Sequence, residues 1–173
     1  MSSYHYLIAS LPTLKTEEEM PFDYGTFLEM CRNTVSASVF SRLQELTVLS
    51  GKGPFLSDWA EFYGRLHNEL VYQRKLKLGK KANPPSDREE NAVTQVRRAL
   101  NAKNPLEAEN VLLDLEFAKI DELTGMHYFD EVVLFGYGMK LKLLERKNAF
   151  TKEEGRQEFG RLFDHIQEQI NNI

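Results

Sequence analysis

The stretch Ser57-Asp58-Trp59-Ala60-Glu61-Phe62-Tyr63-Gly64-Arg65-Leu66-His67-Asn68-Glu69-Leu70 decides how this chain folds. Its large apolar residues Trp59, Phe62, Tyr63, Leu66 and Leu70 fall at i, i+3, i+4, i+7 and i+11, which places them on one face of an α-helix. Ser57 offers a hydroxyl to cap the first turn. The pattern predicts a helix running to about Leu78 and ending at Gly79. The polar segment 79–85, with its paired prolines, is then a linker within the domain.

The same spacing recurs on both sides. Toward the N-terminus, Asp23 caps a predicted short helix from Tyr24 to about Arg32, and Val39, Leu43 and Leu46 mark a second that stops near Gly51. Toward the C-terminus, Ser86-Asp87-Arg88-Glu89 and Thr151-Lys152-Glu153-Glu154 both fit the reciprocal capping box, and Asn104-Pro105 puts proline at a first helical position. The helix after Ser86 carries Val93, Val96 and Leu100; the one after Asn104 carries Leu106, Leu112, Leu113, Phe117 and Ile120. From Asp130 to Lys147 apolar residues nearly encircle the axis, the pattern of a central helix, although β-branched residues and glycines in Val132 to Leu141 also fit a buried strand. Lys152 to Asn171 repeats the motif with Phe159, Leu162, Phe163, Ile166 and Ile170. Residues 1–22 read as an extended arm or one strand-like piece, in preference to a helical start, because Tyr4 to Leu14 alternates poorly and contains Pro12. The expected fold is all-α: one domain over residues 1–173, a compact bundle of about seven helices with an extended N-terminal arm.

Composition agrees with a globular domain. The 173 residues are 42% hydrophobic and 28% charged, enough apolar material for a core without disulfides or a structural metal. A net charge of -4 gives no global pull toward nucleic acid. The single cysteine, Cys31, allows no intramolecular disulfide and fits a reducing, cytoplasmic compartment; it lies on the stripe Tyr24, Phe27, Leu28, Cys31, where a buried hydrophobe is expected and a nucleophile is not. Tyr6 to Leu11 lacks the basic flank and length of a secretory signal. Val132 to Leu144, broken by Gly136, Gly138, Lys140 and Lys142, falls short of the roughly 20 residues of a membrane span.

Chemistry is sparse. Gly51-Lys52-Gly53 has neither the length nor the Lys-Ser/Thr ending of a phosphate loop, and Gly136-Tyr137-Gly138 lacks the membrane context of an ion filter. His5, His67, His127 and His165 are scattered without metal-ligand spacing. No catalytic residue, metal or cofactor is expected. The basic run Arg74, Lys75, Lys77, Lys80 and Lys81 stands out as a partner-contact patch. Two readings compete for it: charge complementary to a helix C-terminus followed by a solvated linker, or contact with an acidic partner or anionic lipid heads. The aromatics fall on core stripes, away from any base-stacking role.

Four segments together carry a family resemblance: Tyr6-Leu7-Ile8-Ala9-Ser10-Leu11-Pro12, Asn104-Pro105-Leu106-Glu107-Ala108-Glu109, Phe129 through Leu144, and Thr151-Lys152-Glu153-Glu154-Gly155. With these the chain resembles the short proteins encoded among the subunits of bacterial V/A-type ATPases, which in turn resemble shortened forms of the C-type subunit of V/A-type ATPases, called d in eukaryotes. The resemblance implies a non-catalytic, all-helical coupling subunit between the central rotor stalk and the membrane proteolipid ring, serving proton or sodium transport. It implies a cytoplasmic protein peripheral to the inner membrane. The chain lacks the three repeated helical units of the longer C-type protein, so a partial socket or an assembly role stands beside a full one. Two alternatives are a helical adaptor or assembly factor unrelated to the ATPase, and an enzyme of unfamiliar design.

Overall fold

The computed structural model describes residues 4–149, and within them every regular element is helical. In chain order these are α1 (Tyr4–Ser10), α2 (Tyr24–Arg32), α3 (Ala37–Gln44), α4 (Pro54–Lys77), α5 (Glu90–Leu100), α6 (Pro105–Thr124) and α7 (Glu131–Ala149). The helix expected over Lys152 to Asn171, with its capping box at Thr151 and His165, lies outside the described residues.

One apolar cluster joins α1 through α7, with Trp59, Phe27, Phe135, Leu113 and Ile120 among its fully buried side chains. α7 is its axis. Leu134, Phe135, Met139, Leu141, Leu143 and Leu144 are all buried, and they point to several sides of the helix, so the stretch that also fitted a strand is helical. A Cβ at Gly136 would lie 2.5 Å from Thr124 Cγ2, so glycine there lets α7 close onto α6. α2 is pinned to α7 where the Tyr24 amide donates to Glu145 at 3.0 Å, and to the end of α3 where the Tyr24 hydroxyl donates to the Leu43 carbonyl at 2.7 Å.

Two predicted caps form. Asp23 Oδ1 accepts from the Thr26 amide at 2.7 Å, and Asn104 Oδ1 from the Glu107 amide at 2.8 Å. Others are corrected. Residues 4–10 are helical instead of extended, since Leu7 buries itself in the core and His5 stacks on Phe129 at 4.1 Å; only residues 11–23 remain irregular. α3 stops at Gln44, well short of Gly51. α4 begins at Pro54, three residues before Ser57, because Gly53 at φ 107° turns the chain into a proline whose missing N–H costs a first turn nothing. α5 begins at Glu90, past the Ser86 capping box; Arg88 instead reaches Glu69 on α4, and that tertiary ion pair outweighs the local cap. Leu106 is exposed at the start of α6, away from the core it was expected to join.

Candidate functional site

The basic run lies at the C-terminal end of α4. The apolar face of that helix, Trp59, Phe62 and Leu66, runs out after Gln73, and every residue from 74 to 81 is exposed. Gly79, at φ 69°, closes the helix: its amide donates to the Leu76 carbonyl at 2.9 Å and the Lys80 amide to the Lys75 carbonyl at 2.9 Å. This doubly bonded glycine turn usually brings an apolar pair together across it. Here the two positions such a pair would take hold Lys75 and Lys80, two like charges.

Arg74, Lys75, Lys80 and Lys81 have no ion-pair partner among the described residues, and Lys77 donates to the Leu100 carbonyl at the end of α5. Apolar side chains are interleaved with them. Leu78 is 71% exposed, one helical turn beyond Arg74 and Lys75, and Leu76 is 44% exposed. Beside this tip a shallow groove of about 310 Å³ lies between α4 and the 79–85 linker, lined by Val71, Tyr72, Lys75 and Pro85 among others. The structure therefore brings all five predicted contact residues to one end and adds two leucines to them.

A second exposed region lies at the other end of α6. Met126, Tyr128 and Phe129 in the α6–α7 turn are solvent-exposed, with Tyr6 of α1 nearby through the His5–Phe129 stack. At 1.5 Å per residue, α6 sets the two ends about 30 Å apart.

Between them lie buried charges that reading the sequence missed. Arg146 of α7 donates to Glu109 Oε1 from Nε at 3.0 Å and from Nη2 at 2.8 Å. It also donates to both oxygens of Glu116, at 3.1 and 2.7 Å, and to the Tyr63 hydroxyl at 3.4 Å. Burial pushes the Glu116 carboxyl above its usual range although Arg146 pulls the other way, and it pushes the Tyr63 hydroxyl up as well. Glu69, equally buried, is held below the usual range by the paired Arg88 bonds at 2.8 and 2.7 Å, with Gln73 adding a bond at 2.6 Å. A signal existed for both acids: each interrupts an apolar helix face. Every donor in the Arg146 fork is used, so the cluster locks α4, α6 and α7 together.

Cys31 is fully buried and its thiol is pushed up to about 12 by burial, which suits a core residue and not a nucleophile at neutral pH. His5, His67 and His127 are exposed, and no group of three or more metal-ligating side chains occurs among the described residues. No helix among them is long and apolar enough to cross a membrane. Compared with known proteins, the chain matches no family model, no curated protein and no solved structure.

Proposed function

We propose that the chain is a non-catalytic coupling or assembly subunit of a V/A-type rotary ATPase, held between the central stalk and the proteolipid ring at the cytoplasmic face of the membrane. The sequence likeness supplies the assembly. The observation that carries the reading is the separation of two exposed, chemically different ends, basic with leucines and aromatic with methionine, by the length of α6. A coupling part needs two contact surfaces on a body that does not yield, and the saturated Arg146 fork stiffens the α4–α6–α7 body between these two. Its work is mechanical.

Affinity purification of the tagged full chain from gently solubilised cells that contain the complex is the test. Retention of stalk proteins or of the proteolipid ring is the expected result. Recovery of the chain with neither, from extracts in which the ATPase stays assembled, overturns the reading.

A further inference from the structure

We infer that the C-terminal end of α4 is a binding site for an anionic lipid surface, with the five cations of residues 74–81 attracting the headgroups and Leu78 entering among them. Charge complementarity is the first argument. This chain is acidic overall, yet it gathers five cations within eight residues and leaves four of them without a counter-ion among the described residues. The Gly79 turn bonds the Lys80 amide to the Lys75 carbonyl, so two cations stand at neighbouring backbone positions where an anion can serve both.

Shape and residue type select the bilayer over an acidic protein. Residues 74–81 form an exposed tip, and a tip meets a fluid, level surface more readily than it meets a partner's fitted groove. Four of the five cations are lysines, compact charges on flexible stems that need no fixed geometry, whereas fitted carboxylate recognition favours the arginine fork. Leu78, the most exposed apolar side chain of the tip, stands beside Arg74 and Lys75, so headgroup contact by those two puts it at the acyl boundary.

The test is sedimentation of the full chain with vesicles of phosphatidylcholine alone or of phosphatidylcholine mixed with phosphatidylglycerol. Binding is expected to the mixed vesicles only, and it should disappear in high salt. Each cation near an anionic leaflet contributes about a fivefold change in partition, so Lys80→Ser with Lys81→Ser should weaken binding about 25-fold. Leu78→Ser should weaken it about tenfold, as the loss of one inserted leucine implies. Lys52→Ser, at an exposed lysine on another loop, should change it less than about twofold, and circular dichroism should be the same for all variants. Equal binding to neutral vesicles, no binding to either, or a Lys52→Ser effect as large as the double change overturns the proposal. So does capture of polyglutamate through the same residues with no vesicle binding, which assigns the tip to an acidic protein. The vesicles hold no ATPase component, so this outcome and the co-purification above succeed or fail separately.

Discussion

The cations of this molecule follow two opposite rules. At Arg146 one guanidinium meets two carboxylates and a phenol, each within 3.4 Å, and every one of its N–H groups has an acceptor. At the end of α4 five cations share, among the described residues, a single carbonyl acceptor, on the Lys77 ammonium, and the closing turn sets Lys75 and Lys80 at backbone-bonded positions. Desolvation explains the first arrangement: a buried charge is tolerated only when its donors are all used, and the arginine fork has donors enough to bind two acids at once. The second arrangement owes nothing to the core. Water solvates those lysines at little cost, so folding requires no partner for them and their clustering is open to serve an outside surface.

The largest test of this contrast is Arg146→Met. It leaves Glu109 and Glu116 facing each other at a site where Glu116 is 2% exposed, and breaking a buried pair from one side costs about 3–5 kcal/mol. Urea unfolding measures it. Replacing Arg146, Glu109 and Glu116 together by apolar residues should cost less than the single change, because no uncompensated charge remains. A single-variant loss under about 1 kcal/mol breaks the comparison, since the buried cluster would then be as dispensable as a surface one.

The pH dependence sharpens it further, with smaller effects. The Glu69 carboxyl is held low in the fold, so its contribution to stability is complete above the ordinary glutamate range and is lost as pH falls through the depressed value. Glu116 is pushed up, so its contribution is complete below the ordinary range and is lost as pH rises through the raised value. Urea midpoints followed across pH should therefore lose part of their acid-side fall in Glu69→Gln, and part of their decline on the less acid side in Glu116→Gln. The same direction of change in both variants would show that the two arginine partners act alike.

Much of the fold was legible in the sequence because its signals are local. The stripes of α2, α4, α6 and α7, the caps at Asp23 and Asn104 and the stop at Gly79 each depend on residues within a few turns. Where long-range contacts decide, local reading failed. Seven residues of α1 are too few for a periodicity to show, and Leu7 and the His5–Phe129 stack hold them helical from outside. The Ser86 box lost to the ion pair of Arg88 with Glu69, which spans nineteen residues. The basic run of the candidate site was visible as composition, whereas its leucines acquired meaning only once Leu76 and Leu78 proved to be exposed.

The smallest expected effect separates the two explanations of the basic end. Favourable interaction with the helix dipole falls off within the last turn, so it covers Arg74, Lys75 and Lys77 but not Lys80 and Lys81, which follow the Gly79 turn. If the dipole is the reason for the run, Lys75→Ser should cost about 0.3–1 kcal/mol. Lys80→Ser with Lys81→Ser should instead leave unfolding free energy within about 0.5 kcal/mol of the parent, with any change toward greater stability, since Lys75 loses a like-charged neighbour. Adding salt should shrink that gain, because screening already relieves the repulsion in the parent. A destabilisation from the double change equal to that from Lys75→Ser would make all five cations parts of a helix terminus, and the contrast with Arg146 would reduce to buried against exposed. Near-neutral stability means that residues 80 and 81 add charge the fold does not use, placed where Gly79 holds it beside Lys75 and Leu78.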